Sequence, residues 1–287
     1  MQSRLEISVI LATHERPEHL ERSLMSLAQQ RGVTSNFDVI VADDGSADHS
    51  QSVVRKFARS ARFPLHWISH PHAGFRVSLC RNDGVRASSS PYFLFSDGDC
   101  IFPADHLHKH LLARRPGIVR AGDCIRLDIA STNRVDENTI ASGAFAAWAS
   151  REERRRIIKL RIKSRYNCWT RHPTKPKLTG YNIGISRVDF EAVNGFDENF
   201  VGWGCEDDDL AFRLRKAGRR IASALPYTHG FHLWHPADPS RPAKWTDGQN
   251  VCRLDNLDRP VRCAAGLVPI ATDAQEQAHS SGQWRAA

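Results

Sequence analysis

The stretch "YFLFSDGDCIFP", residues 92–103, decides the fold of this chain of 287 residues. Apolar and aromatic side chains run up to Ser96 and stop at Asp97 and Asp99, so a strand suited to burial delivers two carboxylates to one place. Burying carboxylates is costly unless something cationic receives them. Paired acids at the carboxyl end of a strand in an α/β sheet usually meet a metal, a proton or a ligand. The stretch therefore predicts a central strand that ends in a functional site.

The segments around this strand alternate between strand and helix patterns. Strands are predicted at 7–13, 37–44, 64–69 and 92–99, and helices at 17–30, 52–60 and 77–88. Continuous apolar runs such as "ISVILAT" are typical of parallel strands covered on both faces, and Leu20, Leu24 and Leu27 recur at helical spacing. This alternation predicts an α/β fold with a doubly wound, mostly parallel sheet.

Ligands of such sheets bind beyond the carboxyl ends of the strands. The polar residues predicted at these ends are Thr13, Glu15, Asp43, Asp44, Asp97 and Asp99. Neither GxGxxG nor GxxxxGK[ST] occurs, so an ordinary dehydrogenase or phosphate-loop ATPase is not expected. The histidines of "HERPEH" are five apart and separated by a proline, which does not match the zinc-protease motif. A nucleotide would have to be held in another way.

Composition limits the class and the compartment. With 41% hydrophobic residues the chain can form a large core, and no stretch reaches the roughly 18 consecutive apolar residues of a membrane span. The N-terminus passes into a strand pattern without a signal-peptide cleavage region. Seven cysteines without a CxxC motif indicate reduced thiols rather than a disulfide framework or a zinc cluster. We therefore expect a cytoplasmic protein.

The formal net charge of +8 is unevenly distributed. Much of the excess lies in "REERRRIIKLRIKSR", residues 151–165, which is predicted to be a helix. Its basic side chains suit anionic lipid headgroups or a phosphate-bearing substrate; the alternative is a solvated helix with ordinary packing through Leu and Ile. We expect no nucleic-acid partner, and peripheral contact with the inner face of an anionic membrane stays open.

Four segments in a fixed order resemble the nucleotide-sugar half of family 2 glycosyltransferases with the GT-A fold: "VILATHERPEHLERSLMSL", "DVIVADDGS", "CRNDGVRAS" and "FLFSDGDC". The segment "GFDENFVGWGCEDDDLAFRLRKAG" resembles the acceptor-side part of β-1,4-galactosyltransferases and chondroitin-polymerase-type enzymes. The resemblance implies one GT-A domain over residues 1–250, with a nucleotide-sugar-binding half (1–124) and an acceptor-binding half (125–250). Residues 251–287 are expected to form a C-terminal extension with a partly disordered tail.

The resemblance implies a metal site at the first motif. A sugar leaves a nucleoside diphosphate more easily when a divalent metal, held by carboxylates and histidine, neutralises the pyrophosphate. By resemblance, Asp97-Gly98-Asp99 is the DxD motif, with Asp99 as the direct metal ligand and Asp97 nearer the ribose or the metal. A histidine after the WGxED segment completes the site; His232 is favoured and His235 is the alternative. Histidine favours Mn²⁺, with Mg²⁺ as the second choice.

Four consecutive acids open a second predicted helix in "GWGCEDDDLAFRLRKAG", residues 202–218. Acids in a first helical turn complement the helix dipole, which accounts for Asp208 and Asp209. The helix dipole does not account for Trp203, which stands between two glycines. An aromatic side chain in such a flexible loop suits stacking on a sugar ring.

The same segment supplies the catalytic residue that the resemblance implies. Glu206 and Asn182 are assigned to sugar or acceptor binding, and Asp207 is assigned as the general base. Such a base removes the acceptor proton as the hydroxyl attacks the anomeric carbon, so transfer is a single displacement with inversion.

The resemblance also implies a uridine-based donor. The nucleotide-binding residues that it assigns are Thr13, Glu15, Asp44, Arg76 and Asp97. Asp43 is the alternative to Asp44 at the uracil, and Arg81 is the alternative to Arg76. His14 and Glu15 stand where the family usually has an aromatic residue and Asn, so contacts there depart from the pattern.

The sequence thus predicts an inverting, metal-dependent hexosyl- or N-acetylhexosaminyltransferase. It would move a sugar from a UDP-sugar to a hydroxyl of a glycan or lipid-linked saccharide. A nucleotidyltransferase is an alternative. Such an enzyme would require a Gly-rich basic motif near the first strand, and the segment "LATHERPEHL" at this position has none. A noncatalytic sugar- or polyanion-binding relative would have lost the acids that are present here. The sugar, the acceptor and the oligomeric state have no signal in the sequence.

Overall fold

The computed structural model describes residues 5–33, 36–239, 241–254 and 258–270. Within these residues the strands are β1 Ile7–Thr13, β2 Phe37–Asp43, β3 Leu65–Ser69, β4 Tyr92–Asp97, β5 Cys100–Ile101, β6 Ile118–Ala121, β7 Cys124–Arg126, β8 Ile183–Ser186, β9 Arg220–Ser223 and β10 Gly230–His232. The α-helices are α1 Pro17–Ala28, α2 Ser50–Ala58, α3 Val77–Ala87, α4 His106–Ala113, α5 Ile129–Asn133, α6 Glu137–Ser142, α7 Arg151–Trp169, α8 Arg187–Ala192, α9 Glu206–Lys216 and α10 Val251–Leu254. Short 3-10 helices span Ala144–Trp148 and Trp245–Asp247.

The central sheet has seven strands in the order β3-β2-β1-β4-β8-β6-β9. β1, β2, β3 and β4 are mutually parallel, and β8 runs antiparallel to both β4 and β6. The predicted doubly wound, mostly parallel sheet is therefore confirmed. The four predicted strands lie within one or two residues of their predicted positions, and β1, β2 and β4 are buried along nearly their whole length.

Helices cover both faces of this sheet. One core cluster joins the sheet to α3 and α9, through residues such as Val77 and Leu210. The cluster on the other face joins it to α1, through Leu20, Leu24 and Leu27. Burial on both faces explains why β1 and β2 consist of fully buried residues.

A second sheet of three short strands, in the order β5-β10-β7, lies beside the carboxyl end of β4. β5 begins directly after Asp99 and pairs antiparallel with β10, so that His232 faces Cys100 across the ladder. The Leu233 amide also donates a hydrogen bond to the Asp99 carbonyl at 2.9 Å. The pairing of β5 with β10 therefore places His232 beside Asp99, although the two residues are distant in sequence.

The predicted basic helix is α7, which is longer than expected and ends at Trp169. Ile157 is buried in a third core cluster that contains Phe145 and Phe231. Arg156 anchors the helix by donating to Asp123 at 3.2 Å. Of the helices in the described ranges, none combines the length and apolar character that crossing a membrane requires.

The chain beyond residue 250 packs on the body of the fold. Asn194 Nδ2 donates to the carbonyls of Cys263 and Val268, both at 2.8 Å, and the Glu198 amide donates to the Ala265 carbonyl at 2.7 Å. The folded unit therefore continues past the predicted boundary at residue 250, to residue 270. The rest of the predicted tail, residues 271–287, lies outside the described residues.

Candidate functional site

The polar residues predicted at the strand ends meet at one edge of the central sheet. Thr13, Asp43 and Asp97 are the last residues of β1, β2 and β4. Asn182 joins them because β8 is antiparallel to β4 and begins at the same edge. The pairing of neighbouring strands therefore brings these residues together at one edge of the sheet.

A candidate metal centre lies just beyond β4. His232 Nε2 is 3.4 Å from Asp99 Oδ1, and His235 Nε2 is 3.1 Å from Asp99 Oδ2. One ligand atom from each of these residues lies within 4.8 Å of the others. The structure thus brings together both histidines, where the sequence left a choice between them. Asp97 belongs to a different cluster, although a metal role was considered for it.

The electrostatics of Asp99 fit a cation-binding carboxylate. Burial favours its neutral form, yet the charges of His232 and His235, together with Arg16, hold the pKa of Asp99 well below its usual range. Arg16 Nη1 is 3.0 Å from Asp99 Oδ2. Two imidazoles and one carboxylate are a donor set that suits Mn²⁺ better than Mg²⁺. The residues present therefore fit the predicted metal.

The second cluster is centred on Arg81, which is 3% exposed. Its guanidinium contacts the carboxylates of three residues: Asp97 at 3.1 Å, Glu206 at 3.3 Å and Asp207 at 3.4 Å. Arg81 comes from α3, Asp97 from β4 and the other two acids from α9. One buried cation therefore ties α3 and β4, from the first part of the chain, to α9 from the later part.

This cluster carries more negative than positive charge, and the pKa values respond. Burial and the neighbouring Glu206 raise the pKa of Asp207 to about 7, although Arg81 opposes the shift. Burial also raises the pKa values of Glu206 and Asp97, again against the effect of Arg81. A carboxylate that titrates near neutral pH suits a general base.

Asp207 is oriented from two sides. The Gly180 amide donates to its Oδ2 at 2.6 Å, while Arg81 contacts its Oδ1. There is no room for a side chain at Gly180, because a Cβ at this position would lie 1.8 Å from Arg81 Nη2. The glycine lets the backbone approach both partners of the pair.

The two acids at the end of β2 are already hydrogen-bonded within the protein. Asp44 accepts from the Arg76 amide at 2.8 Å and contacts His70 Nε2 at 2.9 Å. Asp43 accepts from the Ser69 hydroxyl at 2.7 Å and from the Ser46 amide at 2.9 Å. Both carboxylates are buried, and their hydrogen bonds hold the turn that follows β2.

The remaining predicted nucleotide-binding residues lie around these acids. Thr13 is buried beside Gly98, and Glu15 has a left-handed backbone with φ of 46° and an exposed side chain. The Arg76 guanidinium bonds to the Pro71 carbonyl. Arg76 thus lies near Asp44, whereas Arg81, its alternative, lies in the acidic cluster.

The two residues predicted to bind sugar or acceptor besides Glu206 differ in position. Trp203 lies partly exposed in a loop, with the Arg241 guanidinium 5.3 Å from its ring centroid. Asn182 is fully buried, and its side-chain oxygen lies 3.1 Å from His110 Nε2. The Asn182 side chain therefore lies inside the core, next to His110, and not on the exposed surface of the site.

Asp209 lies in the first turn of α9, as predicted, and its carboxylate also forms a buried ion pair. Its carboxylate accepts from Arg213 Nε at 2.7 Å, and both side chains are 2% exposed. Arg259 Nε lies 3.5 Å from the other oxygen and belongs to residues 258–270, which we call the C-terminal segment. Asp208, in contrast, pairs with Lys177 at 3.0 Å near the surface. Asp209 is a buried ion-pair residue that joins α9 to the C-terminal segment.

We expect Asp209→Asn to lower the free energy of unfolding by about 2–3 kcal/mol, because breaking a buried ion pair leaves an uncompensated charge. Asparagine keeps an acceptor for Arg213, which limits the loss. Urea unfolding measures the effect, and Asp208→Asn is the matched control, expected within about 0.5 kcal/mol of the wild type. Equal stability of the two variants would contradict this assignment.

The sequence did not predict the contacts that Arg81, Arg16 and Gly180 make with the acids of the site. For Arg81 the spacing could have indicated burial, because it lies four residues from Val77 and from Val85, on the same buried face of α3. A charged residue on an apolar helix face calls for buried partners. Arg16 and Gly180 lie in loops, where sequence periodicity gives no signal.

Two family models and several known proteins match the sequence of this chain. Residues 8–117 match the Glycosyl transferase family 2, and residues 161–236 match the N-terminal domain of galactosyltransferase. Validoxylamine A glucosyltransferase of Streptomyces hygroscopicus subsp. jinggangensis (strain 5008) is 28% identical over 284 residues, which cover 92% of this chain and 62% of that protein. Chondroitin synthase of Escherichia coli is 24% identical over 242 residues, which cover 77% and 34%. The chain thus spans less than two thirds of either relative.

Solved structures share the fold. The mannosyltransferase PcManGT from Pyrobaculum calidifontis, in complex with GDP-Man and Mn²⁺, aligns with a TM-score of 0.54 and 20% identity over 77% of this chain and 55% of that one. TarS of S. aureus in complex with UDP-GlcNAc aligns with a TM-score of 0.55 and 16% identity over 87% and 65%. The predicted GT-A fold is thereby confirmed. The two family matches also occur in the predicted order, so the chain resembles the family 2 glycosyltransferases over residues 8–117 and the galactosyltransferases over residues 161–236.

Proposed function

We propose that this protein is an inverting, metal-dependent glycosyltransferase that moves a sugar from a UDP-sugar to a hydroxyl of a glycan or lipid-linked saccharide. The observation that carries the proposal is the pair of adjacent clusters at the end of β4. One places Asp99 between two histidines, and the other places Asp207 and Glu206 on Arg81. Cation-binding groups and a candidate base thus flank a single strand end.

In this proposal Asp207 acts as the general base. Its raised pKa lets it accept a proton near neutral pH, and the Gly180 amide and Arg81 fix its carboxylate. Glu206, one residue earlier on α9, hydrogen-bonds hydroxyls of the sugar or the acceptor. Attack by the deprotonated hydroxyl on the face opposite the leaving diphosphate inverts the anomeric carbon.

Asp99, His232 and His235 would hold the divalent metal, which supplies positive charge against the donor diphosphate when bound. Mn²⁺ is the proposed ion because of the two imidazole ligands, and the PcManGT complex contains Mn²⁺. Asp97 is held by Arg81 and lies two residues before Asp99, where it can bind the ribose. Trp203 provides an aromatic face for the sugar ring.

We propose a UDP-sugar donor, since the TarS complex contains UDP-GlcNAc and the acids at the end of β2 lie where the uracil is expected. PcManGT was captured with GDP-Man, so guanosine donors are the natural comparison in the test. A cytoplasmic location agrees with seven free thiols, five of them buried.

A panel of UDP-, GDP- and dTDP-sugars, incubated with Mn²⁺ and candidate saccharide acceptors, tests the proposal through nucleoside diphosphate release. We expect release from a UDP-sugar that increases with acceptor and stops when a chelator is added. NMR of the product should show the anomeric configuration opposite to that of the donor. Absence of release from every donor would contradict the function, whereas release that resists the chelator would contradict only the metal dependence.

The metal assignment makes a separate prediction. We expect His232→Ala and His235→Ala each to weaken Mn²⁺ binding in the presence of UDP by about tenfold or more, as removal of metal-site groups usually does. Calorimetric titration of Mn²⁺ measures the affinity directly. His66→Ala, which removes an exposed histidine from β3, is the control and should bind as the wild type does. Wild-type affinity in both site variants would place the metal elsewhere.

A further inference from the structure

The outer face of α7 exposes a stripe of large apolar side chains. Its members are Ile158 (57% exposed), Ile162 (65%), Tyr166 (61%) and Trp169 (80%). They follow one another at intervals of four, four and three residues, so they lie on one side of the helix. The opposite side, with Ile157 and Ser164, is buried against the fold. We call these four exposed residues the α7 ridge.

Basic side chains border the α7 ridge on both sides. The exposed basic residues of the helix are Arg151, Arg154, Arg155, Lys159, Arg161, Lys163 and Arg165. Glu152 is the one exposed acid of the same helix. An apolar stripe between rows of Lys and Arg is typical of helices that lie in a membrane interface.

A cavity of about 510 Å³ opens beside the end of the α7 ridge, and Arg120, Arg165, Tyr166, Trp169 and Tyr227 contribute to its lining. Arg120 is only 7% exposed, and its Nε donates to the Ala113 carbonyl at 2.8 Å. Its guanidinium lies 5.5 Å from the Tyr227 ring centroid. Among the residues that the structure describes, no carboxylate pairs with Arg120, so a buried positive charge at this cavity is available to an anion.

We propose that the α7 ridge and the adjoining cavity form a docking surface for a bilayer that contains anionic phospholipids. The ridge enters the headgroup region, where Trp and Tyr are favoured. The flanking Lys and Arg side chains extend to the phosphates. Arg120 and Arg165 receive one headgroup phosphate in the cavity.

Two other occupants fit this surface less well. A second copy of the chain, packed ridge to ridge, would bring two rows of positive charges together, which costs free energy. A soluble acidic saccharide would match the charges but would leave the α7 ridge in water. The bilayer satisfies both the apolar and the basic parts of the surface.

Cosedimentation with vesicles tests the proposal. We expect the chain to bind phosphatidylcholine vesicles that contain phosphatidylglycerol and to bind pure phosphatidylcholine vesicles much more weakly. Rising salt should release the bound protein, because exposed charges are screened within about 8 Å at physiological ionic strength. Lys159→Gln with Lys163→Gln should weaken binding about tenfold or more, since each basic residue near the surface contributes about fivefold.

The double variant Ile158→Ser with Ile162→Ser should weaken binding at least tenfold. Leu112→Ser with Val188→Ser is the matched control, since both residues are exposed apolar side chains outside α7, and it should bind as the wild type does. Sugar transfer to a soluble acceptor should be equal in all four proteins, which separates this proposal from the proposed function. Absent binding to acidic vesicles at low salt, equal binding to neutral vesicles, or full binding by the ridge variant would each overturn it. Binding of inorganic phosphate in the cavity, together with no binding of acidic vesicles at low salt, would reveal an anion site without membrane docking and would overturn the proposal.

Discussion

Asp207→Asn should lower the turnover number by about 10²-fold or more while the affinity for UDP stays close to that of the wild type. Asparagine keeps the shape of the side chain and removes the proton acceptor, and general-base catalysis usually contributes on this scale. The Asp207 carboxylate is held by Arg81 and the Gly180 amide, and it is not one of the candidate metal ligands. Turnover under saturating donor and acceptor, with calorimetric binding of UDP, separates the two effects.

Two comparisons make this prediction specific. Asp208→Asn alters the next residue of α9, which pairs with Lys177 at the surface, and should keep near-normal turnover. Glu206→Gln should mainly raise the KM of the sugar or acceptor. If Asp207→Asn remains active while Glu206→Gln is inactive, then Glu206 is the base and the roles are exchanged.

The raised pKa of Asp207 adds a pH dependence. Turnover should increase as Asp207 deprotonates with an apparent pKa of about 7, and Asp207→Asn should lose this increase. Stability changes in the opposite direction. Because the folded-state pKa lies above the ordinary value of 3.8, the contribution to stability is complete below about pH 4 and is lost as pH rises through about 7. The Asn variant should therefore be more stable than the wild type above neutral pH.

Arg81→Met should lower the free energy of unfolding by about 3–5 kcal/mol, the usual cost of removing one partner of a buried ion pair. Three carboxylates would lose their shared cation, and their folded-state pKa values would rise further. A raised folded-state pKa contributes stability at low pH that is lost as pH increases. The loss should therefore be larger at mildly alkaline pH than at mildly acid pH.

Urea unfolding at the two pH values measures this difference. Lys109→Met is the control, because Lys109 forms an exposed pair with Asp105 on α4 and should contribute less than about 1 kcal/mol. A loss for Arg81→Met that stays equal at both pH values would indicate that packing, rather than charge, explains the effect. A stability equal to that of the control would remove Arg81 from the centre of the cluster.

The central part of the fold could be predicted because it rests on local patterns. β1, β2 and β4 are apolar runs of six or seven residues that end in polar groups, and these endings located the site. The small sheet could not be predicted in the same way, because β5 and β10 have only two and three residues. Its pairing depends on contacts between residues that are distant in sequence.

Within the candidate site, prediction worked where a motif fixed the residue. Asp99 and His232 were assigned together, with His235 as the alternative, and the structure brings both histidines to the same carboxylate. Asp209 was missed although Arg213 stands four residues later, a spacing that pairs side chains on a helix. Local sequence shows that such a pair can form, whereas its burial depends on the tertiary packing of α9.

The chain at residue 250 limits how the loop around Trp203 can move. Asn250, which is 3% exposed, donates through its Nδ2 to the carbonyls of Val201 at 3.1 Å and Gly204 at 3.0 Å. The loop therefore cannot leave its position unless these bonds break, so its opening and the release of residue 250 form one cooperative event. The local opening free energy of the Trp203 loop is then set in part by a stretch of chain outside the WGxED motif, and amide hydrogen exchange in the loop should report the anchoring of that stretch.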